Sequence, residues 1–349
     1  METVPARAKI ISGTAPGGVR TRLADALPLD TPFVVQIFPV YACNFKCGYC
    51  IFPVPAEKRG FISDRTVMDS GLFARCMEDL TRFPRKVKVL RFVGIGEPLL
   101  HRDIADMVRC AVSNDIADVI EILTNGALLT PAMSDALIAA GLTRLVVSLQ
   151  GTSRKKYRQV CGTDIDFEQF RANLKYFHDH KGSAQMYVKI IDCALDGEDD
   201  RQRFYDLFGD RCDTMAIEHA VPIHSGVDYD HLPGVKEQEV TQFGLPVSNV
   251  KVCPQPFFTM QINPDGKVVP CYSFEYPGIM GDCNTNSVCD IWNGETFRKF
   301  RRKMLEGING AGEPCETCSI IKYRLFPEDD LKDSVEKLKP FYDPYTGEK

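Results

Sequence analysis

Three cysteines near the start of the chain are spaced as ligands of a metal cofactor. Cys43, Cys47 and Cys50 form the pattern C-x-x-x-C-x-x-C. Thiolates are soft ligands that suit zinc and iron–sulfur clusters. A zinc knuckle would need a distant fourth ligand, because structural zinc sites usually take four protein ligands. Three cysteines on one loop can instead hold three corners of a [4Fe–4S] cube and leave one iron open to an external ligand.

A second group of four cysteines lies in the last third of the chain. Seventeen residues separate Cys253 from Cys271, and Cys315 and Cys318 form a C-x-x-C pair. Four thiolates complete the coordination of one metal centre without an external ligand. The pattern suits both a zinc ribbon and an iron–sulfur cluster.

Six apolar, β-branched runs alternate with amphipathic helical patterns in the first two thirds of the chain. Strands that alternate with helices predict βαβ units and a parallel sheet. The runs read as apolar on both faces, as buried parallel strands do. Six units are too few for a closed eight-stranded barrel. They predict an α/β fold, either a partial (β/α)6 TIM-like barrel or a doubly wound sheet. The runs are residues 33–40, 87–94, 118–126, 144–151, 185–192 and 213–221.

The position of the cysteine loop in this pattern indicates where the function lies. Ligands of such folds bind at the C-terminal ends of the parallel strands. Cys43 follows the first run directly. We therefore expect the three cysteines at the functional edge of the sheet.

The βα rhythm ends near residue 225. Two apolar runs then flank Pro264-Asp265-Gly266, which predicts a β-hairpin, and one helix is predicted over residues 288–307. The chain is accordingly divided into four parts: an N-terminal arm (1–31), the barrel (32–225), a small domain of β-hairpin and helix that carries the second cysteine group (226–320), and a C-terminal tail (321–349).

Composition narrows the class of protein. The net charge is −5, and no block of five or more Lys or Arg occurs, so a nucleic-acid partner is not expected. No signal peptide and no run of about 18 apolar residues is found, so we expect a cytoplasmic protein without a membrane partner. Fourteen cysteines are too many to interpret as disulfides in a reducing compartment, and their clustering favours metal binding.

With an aromatic Tyr49 before the last cysteine and a βα series behind it, the first motif resembles that of the radical S-adenosylmethionine (SAM) superfamily. The resemblance implies that SAM binds the open iron of a [4Fe–4S] cluster. It also implies reductive cleavage of SAM to a 5′-deoxyadenosyl radical that abstracts hydrogen from a substrate. A flavodoxin or ferredoxin-type protein is the implied electron donor.

The resemblance extends to the ends of later strands. The sequence Gly94-Ile95-Gly96-Glu97-Pro98 is similar to the family's Gly-Gly-Glu-Pro turn, which contacts the amino group of SAM, although an isoleucine replaces one glycine. Other positions that match SAM-binding positions of the family complete the implied cofactor site. They are Tyr49, Asn125, Ser148, Gln150, where an acid is usual, and Lys189.

The second cysteine group resembles the C-terminal SPASM domain, whose signature includes C-x9–15-G-x4-C, here ending in Gly266 and Cys271. A full SPASM domain has further cysteines and holds two clusters. The shorter pattern resembles the twitch variant. That resemblance implies one auxiliary [4Fe–4S] cluster with four cysteine ligands, and hence two clusters in all.

Several substrates and outcomes remain open. The preferred reaction oxidises a hydroxyl of a carbohydrate-like substrate (a sugar, an aminocyclitol or a nucleotide-sugar) to a ketone, with the auxiliary cluster as electron acceptor. An epimerase would use Cys193, which directly follows the fifth run, or Cys161, expected in the loop region after the fourth run, as hydrogen donor. Glu218 and His219 are candidates for acid–base work. A peptide maturase ranks lower, because few residues precede the first strand. A non-enzymatic iron–sulfur protein is the remaining alternative.

Overall fold

A parallel sheet that curls into an open barrel forms the centre of the molecule. The computed structural model describes residues 7–11, 20–63, 65–224, 226–232, 235, 238–272 and 276–343. Within these residues the strands join in one sheet of ten. They are β1 (Lys9–Ile10), β2 (Val34–Ile37), β3 (Val87–Phe92), β4 (Ala117–Thr124), β5 (Arg144–Leu149), β6 (Gln185–Ile191), β7 (Thr214–Glu218), β8 (Thr259–Ile262), β9 (Lys267–Val269) and β10 (Gly281–Asp282).

Helices follow most of the barrel strands and cover the outer face of the sheet. The α-helices of the described residues are α1 (Leu23–Ala26), α2 (Ser70–Leu80), α3 (Ile104–Ser113), α4 (Pro131–Ala139), α5 (Arg154–Cys161), α6 (Phe167–His180), α7 (Glu198–Phe208), α8 (Gln255–Phe258), α9 (Val288–Asn293), α10 (Glu295–Met304), α11 (Glu313–Glu316), α12 (Ser319–Tyr323) and α13 (Val335–Tyr342). No helix in the described part of the chain is long and apolar enough to cross a membrane.

The strand order confirms the predicted partial barrel. Strands β2 to β7 are neighbours in chain order and pair in parallel, which gives six βα units. The sheet does not close on itself, because β7 and β2 are each flanked by another strand. The α/β partial (β/α)6 TIM-like barrel is therefore the observed fold, and the doubly wound alternative is excluded.

Both flanking strands come from outside the predicted barrel segment. The first hairpin strand, β8, pairs in parallel with β2, so that Val34 lies opposite Thr259. At the other edge, Lys9 of the N-terminal arm lies opposite Thr214 of β7. The C-terminal hairpin thus extends the barrel sheet, a long-range pairing that hydrophobic patterns along the chain cannot predict.

Helix starts follow ordinary capping chemistry. The side chains of Asp69, Thr130, Ser153 and Asp166 each accept a hydrogen bond from the backbone N–H three residues later, at the starts of α2, α4, α5 and α6. These bonds satisfy amide groups that have no partner inside the helix.

Two local predictions were wrong. The single helix predicted over residues 288–307 is two helices, because the extended backbone of Gly294 ends α9 and begins α10. Cys161, expected in a loop, is the last residue of α5.

The barrel strands are not apolar on both faces. Leu90 and Phe92 are fully buried on the outer side among the helices. The inward positions carry charged side chains, among them Arg91 on the same strand, Glu121 and Arg144. The barrel therefore has an apolar shell and a polar interior, which suits a polar ligand.

Candidate active site

The three cysteines of the first motif lie on the loop after β2, at the predicted edge of the barrel. Backbone bonds hold this loop against the end of α5: Lys46 N–H donates to the Cys161 carbonyl at 3.0 Å, and Gly48 N–H donates to the Val160 carbonyl at 3.0 Å. Inside the loop, Cys50 N–H donates to the Cys47 carbonyl at 2.9 Å. The loop is thus fixed at both sides of its central cysteine.

The thiols lie in a poorly hydrated environment. Burial raises the pKa of Cys43 to about 12, and burial also raises the pKa of Cys50. The sulfur of Cys43 accepts hydrogen bonds from Phe45 N–H at 3.4 Å and from the side-chain amide of Asn125 at 3.8 Å. A thiolate there needs a compensating positive centre, which a bound metal provides when it displaces the proton.

Two glycines after β3 allow the chain to pass close to its neighbours. A Cβ added at Gly96 would lie 1.9 Å from the carbonyl oxygen of Val40, and one added at Gly94 would lie 2.6 Å from the ring of Phe38. Gly94 also has φ +143°, a conformation that side chains disfavour. The glycine motif therefore has a steric reason independent of any ligand.

Glu97 joins two strand ends. Its carboxylate accepts hydrogen bonds from Leu99 N–H at 2.9 Å, from the Thr124 hydroxyl at 2.7 Å and from Asn125 N–H at 2.7 Å. Burial raises the pKa of Glu97, against the effect of these three donors. The residue fixes the end of β4 beside the glycine turn, and its contact with SAM stays a prediction.

The remaining predicted SAM contacts lie along the same cavity wall. The Tyr49 hydroxyl donates to the side-chain oxygen of Gln150, and the Cys47 sulfur lies 3.5 Å from that same oxygen. Ser148 lines the cavity beside Gln150. Lys189 also lines it, but its Nζ is paired with Glu218 Oε2 at 2.6 Å. The structure brings these residues together, and their individual roles toward SAM stay predictions.

A cavity of about 800 Å³ runs through the barrel from this edge. Cys50 and Tyr272 lie at its upper end, and Arg20, Lys88 and Asp329 lie at the opposite end. Ligand pockets commonly have volumes of about 300–1,000 Å³. The cavity is therefore large enough for a cofactor of nucleoside size and a small substrate together.

The middle of the cavity holds a buried ion triad that sequence reasoning missed. Glu121 pairs with Arg91 at 2.5 Å and with Arg144 at 3.0 Å. Burial alone would raise the pKa of Glu121, but the two guanidinium groups hold it below its ordinary value. Each of these three charged residues lies inside an otherwise apolar run. Because alternate residues of a strand face the same side, a charge at such a position could have indicated a polar barrel interior.

A second polar network crosses the cavity wall. Glu218 accepts hydrogen bonds from Lys189 and from the Gln242 side-chain amide, each at 2.6 Å. The oxygen of the Gln242 amide accepts from Arg324 Nε at 2.6 Å. This network joins two barrel strands to the C-terminal tail, and Gln242 and Arg324 had no sequence signal.

His219 and the two proposed hydrogen-donor cysteines have different positions. His219 lines the cavity, and its Nδ1 is 2.9 Å from Asp192 Oδ2. Cys161 is fully buried, and its thiol donates to the Tyr157 carbonyl at 2.9 Å. Cys193 lies in the turn after β6 beside Tyr49, and burial raises its pKa to about 12. Neither cysteine is among the described residues that line the cavity.

The second cysteine group surrounds a small cavity of its own. Cys253, Cys271, Cys315 and Cys318 all line it, with apolar walls from neighbouring residues such as Met304. Burial raises the pKa of Cys315 to about 11 and raises those of Cys253 and Cys271 further. Tyr272, next to Cys271, lines the central cavity, and Gln255 lines both cavities, so the second cysteine group adjoins the wall of the central cavity.

The donor sets fit iron–sulfur clusters. Each group consists of thiols around a cavity and not of mixed His and carboxylate ligands. Among the described residues, no three His, Cys, Asp or Glu side chains converge closely enough to bind a single metal ion. Three thiols leave one iron of a four-iron cube open to another ligand, and four thiols complete the coordination of a second cube.

The models of two known protein families match the chain. The sequence model of the radical SAM superfamily matches residues 37–208, and that of the SPASM iron–sulfur cluster-binding domain matches residues 253–319. The chain is 25% identical over 303 residues to the tungsten-containing aldehyde ferredoxin oxidoreductase cofactor-modifying protein of Pyrococcus furiosus, with 74% of this chain and 80% of that protein covered.

Two further likenesses cover most of both chains. The SAM-dependent 2-deoxy-scyllo-inosamine dehydrogenase of Niallia circulans is 22% identical over 282 residues, with 80% of this chain and 89% of that protein covered. The crystal structure of BtrN in complex with AdoMet and 2-DOIA has a TM-score of 0.52 and 19% identity, covering 84% of this chain and 95% of that one. The structural likeness shows the shared fold.

The two family matches cover the two cysteine groups, and the cavity joins the sites that they form. The cofactors are SAM and two [4Fe–4S] clusters, one that binds SAM and one auxiliary. Cys43, Cys47 and Cys50 stay the predicted ligands of the first cluster, and Cys253, Cys271, Cys315 and Cys318 those of the second. The chain belongs to the radical SAM superfamily and is a radical SAM enzyme with a SPASM-type iron–sulfur domain.

Proposed function

We propose that the enzyme oxidises a hydroxyl group of a carbohydrate-like small molecule to a ketone. The observation that carries the proposal is the polar cavity that extends from the cysteine loop to Tyr272 beside the second cysteine group. A substrate held in this cavity is adjacent to both metal sites. The dehydrogenase from Niallia circulans supports the reaction class, whereas the Pyrococcus furiosus relative is named as a cofactor-modifying protein.

Oxidation of an alcohol removes two electrons and two protons. SAM on a cluster held by Cys43, Cys47 and Cys50 would supply the acceptor of one hydrogen atom, and a cluster held by Cys253, Cys271, Cys315 and Cys318 would supply the acceptor of the second electron. The hydroxyl proton then needs a base of the protein. His219 meets this need, because donation from its Nδ1 to Asp192 leaves Nε2 as an acceptor. Glu218 already accepts from Lys189 and Gln242, and we assign it to positioning.

Epimerisation has less support. It requires a thiol beside the substrate, on the face opposite the SAM-derived radical. Cys161 is buried under the cysteine loop, and Cys193 is not among the described lining residues. The oxidation proposal therefore assigns both cysteines to packing.

The test follows the fate of the hydrogen and of the second electron. Anaerobically reconstituted enzyme with dithionite and SAM should form 5′-deoxyadenosine when a carbohydrate substrate is present, with a ketone as product and no deuterium from D₂O. Cys193→Ala should keep the activity, and His219→Gln should lose at least about a hundredfold in kcat. Deuterium in a recovered alcohol would favour epimerisation. Stimulation by peptides alone would favour a maturase.

A further inference from the structure

Arg324 is a cavity cation without an acidic partner among the described residues. It follows Cys318 by six positions, is half-buried and lines the central cavity. Its hydrogen bond goes from Nε to the neutral amide of Gln242, and its guanidinium carbon lies 5.3 Å from the ring centre of Tyr272. A guanidinium has five N–H donors, so four remain for a ligand.

The location of Arg324 relates it to both metal sites. Tyr272, over which it lies, directly follows Cys271 of the second group. Cys50 of the first group lines the same cavity as Arg324. A ligand bound to this guanidinium from the cavity therefore lies in the space between the two clusters.

The C-terminal segment that carries Arg324 is firmly attached. The Tyr323 carbonyl accepts a hydrogen bond from Gln242 N–H at 2.8 Å. Two residues beyond Arg324, the ring of Phe326 stacks on that of Phe243 with centroids 4.6 Å apart. These contacts on both sides pre-orient the guanidinium, which reduces the entropy lost when a ligand binds.

The neutral surroundings of Arg324 define the ligand chemistry. His224 is a second residue of the same wall, and burial, assisted by the charge of Arg324, lowers its pKa to about 3, so it is neutral near pH 7. The side-chain amide of Gln242 carries no charge. A half-buried guanidinium among neutral groups pays a desolvation cost that a bound anion offsets, and its planar fork matches carboxylate and phosphate oxygens.

We propose that Arg324 binds an oxyanion of the substrate, a carboxylate or a phosphate, and thereby holds the reacting carbon between the two clusters. The assignment rests on the proposed oxidation and narrows it: the substrate is an acidic or phosphorylated carbohydrate and not a neutral polyol. Arg324 is then a binding and specificity residue supplied by the C-terminal tail.

The experiment measures binding separately from turnover. The reconstituted, SAM-loaded enzyme is titrated anaerobically by calorimetry with inorganic phosphate, D-glucose 1-phosphate, D-glucuronate and D-glucose. The charged sugars should bind at least about tenfold more tightly than glucose, and Arg324→Met should remove that difference. Arg324→Lys should restore part of it. The matched control is Lys322→Met, which removes the same charge from an exposed side chain two residues away and should change nothing.

Each outcome has a defined meaning. Stronger binding of glucose 1-phosphate or of glucuronate identifies the oxyanion as phosphate or carboxylate. Binding of inorganic phosphate that is equal in wild type and Arg324→Met, or no binding of any charged probe at about 10 mM, overturns the proposal. If a neutral sugar causes SAM cleavage in both the wild type and Arg324→Met, the proposed oxidation is supported and the proposed anion site is refuted. If anion binding needs Arg324 but no carbohydrate is oxidised, only the proposed reaction fails.

Discussion

Replacement of Glu121 by Gln tests whether the ion pairs of Glu121 with Arg91 and Arg144 stabilise the polar interior of the barrel. The side chains of Glu121 and Arg144 are 2% and 6% exposed, and that of Arg91 is 31% exposed. Loss of the carboxylate leaves two guanidinium groups facing each other in the interior. Removing one partner of a buried ion pair typically costs about 3–5 kcal/mol. We expect the lower end, about 3 kcal/mol, because Arg91 can recover solvent and the Gln oxygen still accepts one bond.

This free energy converts into a measurable shift of the melting temperature. An unfolding entropy of about 2.1 cal/mol/K per residue gives about 0.73 kcal/mol/K for the 349 residues. A loss of about 3 kcal/mol then lowers the midpoint by about 4 °C. Removal of an exposed carboxylate is the control: Glu168, 77% exposed and 2.8 Å from Arg171, should cost less than about 0.5 kcal/mol as Gln.

Calorimetry of the reconstituted holoenzyme measures both shifts under anaerobic conditions. Because the pKa of Glu121 lies below its ordinary value of 4.5, its stabilisation is present above that pH and is lost only as the pH falls below it. The difference between wild type and Glu121→Gln should therefore stay constant from about pH 5.5 to 8. Adding Arg144→Met should restore at least half of the loss. A shift of Glu121→Gln no larger than that of the Glu168 control would refute the reasoning.

Two further predictions concern the cluster site and the glycine turn. Cys315→Ala should lower the iron content from about eight to about four per chain, because one of two four-iron clusters loses a ligand. The control variant Cys110→Ala, on the outer helix α3, should keep about eight irons per chain. Equal iron content in the two variants would contradict the assignment. Gly96→Ala should cost about 1–3 kcal/mol of stability and weaken SAM binding, because its Cβ would lie 1.9 Å from the Val40 carbonyl oxygen. Gly278→Ala, whose Cβ would lie 3.5 Å from the side chain of Met280, should be neutral in the same melting and binding measurements.

Much of the fold could be predicted because it depends on local patterns. Five of the six predicted runs contain the observed barrel strand, and the other, residues 118–126, begins one residue after the start of β4 at Ala117. The open barrel follows from six such runs alternating with helices. The break at Gly294 was missed because a helical pattern continues on both sides of it. The pairing of β8 with β2 was missed because it joins residues more than 200 positions apart.

The candidate site shows the same division. The cysteine spacing is visible in the sequence, because three ligands on one loop need no distant partner to be identified. The proposed donor role of Cys161 came from its place after β5, but the side chain points under the cysteine loop, where its thiol bonds to the Tyr157 carbonyl. Chain position gives the edge of a barrel, whereas packing decides which side chains face its cavity.

By itself, the sequence determined the two cysteine groups, the six βα units and the strand ends at which a SAM site is predicted. These features are local in sequence. The first cysteine motif spans eight residues, and each βα unit is visible as one apolar run followed by one amphipathic helical pattern. Only the tertiary structure decided that Glu121 lies between two arginines and that Arg324 reaches the cavity through Gln242. Such contacts join residues far apart in the chain, and the curvature of the sheet and the docking of the tail bring them together.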